Sequence, residues 1–302
     1  MKFGGHETFF LRPGWLTKGL TLVQADVNVT WNSDRASDVM GVGRNMSKSI
    51  GWWLSRTGTS HRAERNQPLT LTPLGKGILE NDPYLVQLAT WWLLHFQLVL
   101  NGPNDVFSWF FGSRADPRFT RAALEGSLHA QIERSGEKMP AAMTLHRDIA
   151  VLLQSYGRPL PAPSVDPEDN LDCPFRRLDL IVHRTDLDVF ERRSALSVIA
   201  PEALCFGLLS TLTLAEDSDY VDIPLDHMGA LSRLGVATGR SVDAVADAIA
   251  AAAGTLDDDL LTIRQLAGLR MARVRVLPGE DWLKLHIHRT SNLSEAKKGR
   301  AA

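Results

Sequence analysis

Two glycines bracket a single valine at Gly41-Val42-Gly43, and the run that follows, Arg44 to Arg56, carries Met46, Ile50, Trp53 and Leu54 at spacings near 3.6. Glycine tolerates backbone angles closed to other residues, so the pair marks a turn. The apolar stripe marks a helix with one buried face, which must pack on whatever precedes the turn. A short helix is predicted there from Asp34 to Met40, with Ser33 or Asp34 as its cap. Trp15, Leu16, Leu20 and Leu22 share a face of an earlier helix between Pro13 and Asp26. After Gly58 comes a polar, basic stretch, Thr59 to Gln67, then the alternating Leu69-Thr70-Leu71-Thr72; Thr72-Pro73-Leu74-Gly75 turns into a helix over Lys76 to Glu80. Helix, helix, turn, helix and basic hairpin is the order of a winged helix-turn-helix, assigned to residues 1–80.

Residues 81–157 read as a helical domain with segments 83–100, 117–134 and 144–156, the last capped by Thr144. Its many aromatic residues are read as core rather than as a base-stacking platform. His95, alone on an apolar helix, is read as a satisfied core histidine. Arg158 to Asp172 holds Pro159, Pro161, Pro163 and Pro167 and is expected to be a linker or long loop. A C-terminal α+β region, 158–290, follows. Leu178 to Val182 and Val198 to Ile199 look strand-like, and Pro201 to Leu214 helical. Pro224 to Leu234 and Ser241 to Ala253 flank Gly235-Val236-Ala237-Thr238-Gly239 in a second helix-turn-helix-like arrangement. Asp243, Asp247 and a run of alanines make that second unit a poor reader of DNA. Asp257-Asp258-Asp259 is a capped helix start or a solvated turn, and residues 291–302, rich in Ser, Lys and Ala, are expected to be a disordered tail. The fold class is mainly α with small β elements.

With 302 residues and 44% hydrophobic content the chain can build two or three cores. No apolar run reaches the roughly 18 residues of a membrane span; Leu85 to Leu100 is interrupted by Gln87, His95 and Gln97. The N-terminus lacks the features of a signal peptide, so a cytoplasmic location without membrane association is expected. Cys173 and Cys205 form neither a disulfide framework nor a zinc spacing, and both are expected to be reduced. The net charge of −2 conceals an asymmetry: residues 1–65 carry nine Lys or Arg against five acids, and 164–230 carry five against fourteen. One face is suited to phosphate and another to solvent or a basic partner.

At the start of the third helix, behind Gly43, Arg44 and Asn45 have the geometry to grip guanine and adenine, and Ser47, Lys48 and Ser49 can hold phosphates. The helix N-terminus adds backbone donors, and Arg56, His61, Arg62 and Arg65 would continue the contact along the wing. Gly41 to Ser49 is not a nucleotide-binding P-loop, because Ser47 stands where the glycine before lysine is required. Gly4-Gly5-His6-Glu7-Thr8 has two readings. His6 can serve as acid, base or ligand and Glu7 can bind a divalent ion, or the cluster ties an N-terminal arm to the core; spacing alone favours the tie. Asp148, within Thr144-Leu145-His146-Arg147-Asp148, is read as a local ion-pair partner or a contact of that arm.

The segments Phe3 to Leu16, Gly41 to Ile50, Leu71 to Gly75, Asp82-Pro83-Tyr84-Leu85, Trp91 to His95 and Thr144 to Asp148 resemble a bacterial family, the SspB nickases of the Ssp DNA phosphorothioation system. The likeness is strong to about residue 156 and diffuse from Pro159 onward. It implies a DNA nickase that opens one strand so that partners exchange a non-bridging phosphate oxygen for sulfur, as part of antiphage defence. Those partners would be a cysteine desulfurase, an ATPase and an ATP-pyrophosphatase-like protein. The positions that match are Gly4, His6, Glu7, Thr8 and Arg12, and Gly43, Arg44, Asn45 and Lys48. On this basis His6 or Glu7 activates water, directly or through Mg²⁺ or Mn²⁺ held by Glu7, and Arg12 stabilises charge on the attacked phosphate. The competing expectations are a non-catalytic winged-helix module that recruits modification enzymes or regulates transcription, and a structural subunit held by protein partners. A homo-oligomer is compatible with all of these.

Overall fold

The chain opens with three helices, α1 (Trp15–Ala25), α2 (Asp34–Met40) and α3 (Arg44–Arg56), and a hairpin of β1 (Ser60–His61) and β2 (Thr70–Leu71). The structure is a computed structural model that describes residues 1–301 apart from 26–29, 32, 65, 66, 114, 115, 161–171, 195–198, 216, 217, 226, 227 and 267. Ser33 caps α2, its hydroxyl accepting from the Ala36 N–H, and Gly41 ends the helix at φ +63°. α3 has the bounds its periodicity predicts. The hairpin is antiparallel, Ser60 facing Leu71. Thr72 joins it to α4 (Pro73–Asn81) by donating to the Gly58 carbonyl at 2.7 Å and accepting from the Gly75 N–H at 3.1 Å.

The middle of the chain forms α5 (Leu88–Phe96), which runs into a π-helical turn at Gln97–Asn101, then α6 (Val106–Gly112), β3 (Arg118–Phe119), α7 (Arg121–Ser135) and α8 (Ala142–Tyr156). Thr144 does not cap α8. That helix starts two residues earlier, after Ala141, and Thr144 lies in its first turn. His95 is fully buried, with Nδ1 2.8 Å from the Tyr156 hydroxyl and Nε2 3.1 Å from the Ala237 carbonyl. The carbonyl requires Nε2 to carry the proton, so Nδ1 accepts from the tyrosine and both nitrogens are satisfied in the neutral ring. Burial pushes its pKa down to about 3.

A four-stranded sheet follows in the order β3-β6-β5-β4, with β4 (Gly157–Leu160), β5 (Ile181–Arg184) and β6 (Val189–Arg192). β4 lies at its edge, parallel to β5. An edge strand tolerates Pro159, which cannot donate to a ladder, so the first residues of the expected loop are strand; 161–171 lie outside the described residues. A 3₁₀ turn, Pro174–Leu178, leads from there into β5.

The C-terminal region holds α9 (Pro201–Leu209), β7 (Tyr220–Pro224), α10 (Met228–Thr238), α11 (Val242–Ala253), β8 (Leu261–Leu266), β9 (Leu269–Arg275) and α12 (Gly279–Ala301). α9 stops at Leu209, five residues short of the expected end. Of the expected strand Val198-Ile199, Val198 lies outside the described residues and Ile199 is not in a strand. The helix pair α10 and α11 is present, but its turn falls at Gly239 (φ +70°), with Ser241 capping α11. The pair sits between the first strand and the hairpin of an antiparallel sheet ordered β7-β9-β8. α12 continues through the segment from Ser291 expected to lack structure, which is rich in the strong helix formers Ala, Lys and Glu.

Buried apolar side chains make one connected core from Leu11 to Leu283, and α12 packs along α4 and α9. Among the described residues no helix is long and apolar enough to cross a membrane. Cys173 and Cys205 are free and buried, and burial pushes the Cys173 thiol up to about 12. Glu202 of α9 is almost fully buried and accepts from Arg289 and His286 of α12. Burial alone would raise its pKa, but these hydrogen bonds outweigh it and hold the carboxyl at about 2. A depressed acid contributes stability that is present above its unfolded pKa and lost as pH falls through the folded one. The contribution is on the order of 3 kcal/mol. In urea unfolding, the stability advantage of wild type over Glu202→Gln should be constant above about pH 5 and shrink as pH falls toward 2; a pH-independent difference would remove the ion pair from the account.

Candidate nucleic-acid interface

Gly43, the N-cap of α3, offers no side-chain acceptor, so the first N–H groups of the helix are uncapped by any side chain. Gly43, Arg44 and Asn45 are exposed beside this end, and Lys48 is half-buried one turn further on. Arg44 reaches back to Asp34 of α2 at 2.5 Å, both side chains remaining more than half exposed. A pair so open to water is weak and readily exchanged for another anion. His61 and Arg62 stand exposed on the hairpin; Arg65 lies outside the described residues.

Three residues expected on this surface are inside the protein. Ser47 and Ser49 are fully buried, and Arg56 is 8% exposed. The reason is helical phase. Ser47 lies on the stripe of Ile50 and Leu54 that meets α1, and Ser49 and Arg56 on that of Trp53. Arg56 pairs with Asp105, and its guanidinium lies 5.7 Å from the Trp52 ring centroid. Asp105 in turn caps α6, accepting from the Phe107 and Ser108 N–H groups. Burial raises the Asp105 carboxyl above its ordinary value, with Arg56 pulling the other way. The pair locks α3 to α6 and leaves nothing for a phosphate.

The N-terminal arm is held by His6. Gly4 and Gly5 have φ of +71° and +89°, and a Cβ on Gly5 would meet the Trp52 ring at 2.6 Å, so the arm passes only as glycine. His6 Nδ1 accepts from the Thr8 N–H at 3.1 Å, which puts the proton on Nε2, donated to Asp148 Oδ1 at 2.9 Å. The Gly4 N–H donates to the other oxygen of Asp148 at 2.9 Å. His6 is 3% exposed, with its ring edge-on to Trp52. A small void of about 60 Å³ adjoins the cluster. This is the tie between arm and core, and it makes Asp148 the arm's contact. A water or phosphate placed for catalysis does not reach a ring so covered.

Glu7 is half-exposed beside the clasp with φ +50°. Both oxygens of Asp148 and both nitrogens of His6 are engaged. Among the described residues no group of three or more His, Cys, Asp or Glu is gathered as a metal site. Arg12 does not join His6. Its guanidinium lies 5.5 Å from the Phe9 and Trp15 ring centroids, and the residue lines a cleft of about 530 Å³ with Arg158, Arg176 and Arg177. Sequence reading missed those three, which are remote from Arg12 along the chain and carry no common motif.

A family described as a protein of unknown function, DUF4007, matches residues 3–284. Among solved structures, a magnesium ion-bound SspB crystal structure is similar with a TM-score of 0.75 and 23% identity, covering 95% of this chain and 88% of that one. A second SspB crystal structure is similar with a TM-score of 0.74 and 22% identity over the same shares. No curated protein matches the chain. At these identities the likeness is one of fold.

The clasp has a measurable consequence. Asp148→Ala leaves the His6 Nε2–H and the Gly4 N–H without their acceptor in a buried site, which costs roughly 2–4 kcal/mol. Chemical denaturation should report that loss, with faster amide exchange over the first ten residues; unchanged protection of the arm would show that the clasp does not hold it.

Proposed function

The chain belongs to the DUF4007 family, and from that membership and its fold we propose that it binds duplex DNA and nicks one strand in DNA phosphorothioation. The observation that carries the DNA-binding half is the exposed edge of α3: Arg44, Asn45 and Lys48 at an uncapped helix N-terminus, with Arg62 on the adjoining hairpin. In this reading residues 1–80 act as a winged helix-turn-helix. α3 enters the major groove, Arg44 and Asn45 address base edges, and Lys48, Arg62 and the free N–H groups take phosphates. Arg44 exchanges Asp34 for DNA. Ser47, Ser49 and Arg56 serve the core.

The nicking half draws on the fold shared with SspB, and the proposed partners are those of that system: a cysteine desulfurase, an ATPase and an ATP-pyrophosphatase-like protein. A similar SspB structure holds magnesium, so Mg²⁺ and Mn²⁺ belong in the assay. The cluster of His6, Glu7 and Asp148 does not fit such an ion. Its other donors are spent on hydrogen bonds, and Glu7 alone falls short of the six or so oxygen ligands these hard cations take. No step is therefore routed through a metal at that cluster. Arg12, in its cationic cleft, keeps the role of phosphate ligand.

The same clasp favours a second reading, a non-catalytic DNA-binding module that positions the modification enzymes. Supercoiled plasmid incubated with the protein and Mg²⁺ or Mn²⁺ separates the two. Conversion to the open-circular form supports nicking, whereas retardation of plasmid that stays supercoiled supports the module. In either case an Arg44→Ala/Lys48→Ala variant should bind duplex at least about tenfold more weakly. Its slope of log affinity against log salt should be shallower by about 1.8, the expectation for two lost phosphate contacts. Unchanged affinity and slope would take α3 out of the interface.

A further inference from the structure

The loop between α4 and α5 is held more firmly than a connection requires. Asp82 is buried, and its carboxylate accepts from the Val86 N–H at 2.8 Å, the Gln87 N–H at 3.1 Å and the Thr90 hydroxyl at 2.6 Å. The loop carbonyls are also engaged: Pro83 by Thr17 at 2.9 Å, Leu85 by the Trp91 indole at 2.9 Å, and Val86 by Arg177 at 2.8 Å. Within this frame Leu85 has φ +50°, a left-handed conformation that branched residues adopt only when their surroundings impose it. The effect is to sink Leu85 into the core and turn its neighbours outward: Tyr84 is 79% exposed and Val86 64%.

Those two side chains stand at the cleft that holds Arg12. Four guanidinium groups line it against one lining carboxylate, Asp172, which pairs with Arg176. Arg158 is paired with Asp179 nearby, and Arg177 bonds only neutral carbonyls. Arg12 rests over two aromatic rings, and its buried Nε has no hydrogen-bond partner. Two cations thus face the cleft without a neutralising acid, above a wall supplied by Leu16 and Trp91. The volume, about 530 Å³, is in the range of small-molecule sites. An occupant with a flat apolar body and an anionic tail satisfies both halves.

We propose that this cleft takes one unpaired nucleotide of a DNA strand, with its base against Tyr84 and its phosphate on Arg12 and Arg177. The inference rests on the DNA reading of the preceding subsection and adds to it a single-strand site distinct from the α3 edge. A strand, rather than a free nucleotide, is the source argued for, because Tyr84 projects into solvent at the rim where a chain runs past.

The experiment compares fluorescence anisotropy for a labelled twelve-residue oligothymidylate and for a blunt duplex, with dTMP and inorganic phosphate as competitors. Tyr84 is exposed, so Tyr84→Ala leaves the core intact. It should weaken single-strand binding about tenfold or more, the scale of a lost base–aromatic stack, while Tyr84→Phe retains it. Arg12→Gln should weaken it as well and flatten its salt dependence. Duplex affinity should hold in these variants and fall in Arg44→Ala/Lys48→Ala, which in turn should keep the single strand. Tyr84→Ala and Arg12→Gln binding the oligonucleotide as wild type does would overturn the proposal. So would dTMP competing as tightly as the strand itself. Wild type that binds duplex but no single strand defeats this inference alone, and wild type that binds neither defeats the DNA reading too.

Discussion

At Gly19 the backbone of α1 lies so close to α3 that a Cβ there would meet Ile50 and Leu54 side-chain atoms at 2.7 and 2.8 Å. Everything ascribed to the N-terminal part of the chain depends on that approach. It brings Leu20 of α1 together with Ile50 and Leu54 of α3 in a fully buried seam. With that side of α3 taken up, Arg44, Asn45 and Lys48 are left at its outer edge. The opposite end of α1 begins at Trp15, beside Arg12, so one helix backs the proposed reading edge and walls the cleft. A larger residue at 19 would push the two surfaces apart, because overpacked cores yield by moving backbone.

Buried charges join elements that apolar packing alone would leave free to slide. Arg56 with Asp105 connects α3 to α6, His6 with Asp148 connects the N-terminal arm to α8, and Glu202 with His286 and Arg289 connects α9 to α12. Such pairs are expensive to desolvate and add little net stability over a well-packed apolar replacement. They do make one register of packing much better than its neighbours, since a displaced partner leaves a charge or donor buried alone. In this chain the residues so used are of the types that invite a catalytic or DNA-binding reading.

Local rules were legible in the sequence where short-range chemistry decides them. The bounds of α3, the Ser33 cap, the hairpin after Gly58 and the buried neutral His95 all follow from spacing or polarity within a few residues. Arg56 and the two serines of α3 did not follow, because a polar residue near a helix end is ordinarily solvated and only the position of Asp105 and α1 reverses that. β8 and β9 were missed because arginines interrupt their apolar alternation, and the sheet assigns the inner face to Leu261, Ala272 and Val274. The cleft was invisible for another reason. Arg12, Tyr84, Arg158 and Arg177 lie far apart in the chain, and only the fold gathers them. Of the N-terminal motif, sequence reading identified the right cluster, and geometry gives His6 to the tie rather than to chemistry.

The second helix pair carries a consequence for how the molecule meets other molecules. α11 presents Asp243 and Asp247 to solvent, next to Asp257, Asp258 and Asp259 in the turn that follows. The basic residues of the first three helices are gathered at the other end of the sequence. A polyanion diffusing toward this chain is attracted by one surface and repelled by the other, so its encounters are sorted by orientation before any contact forms. The near-zero net charge hides a torque.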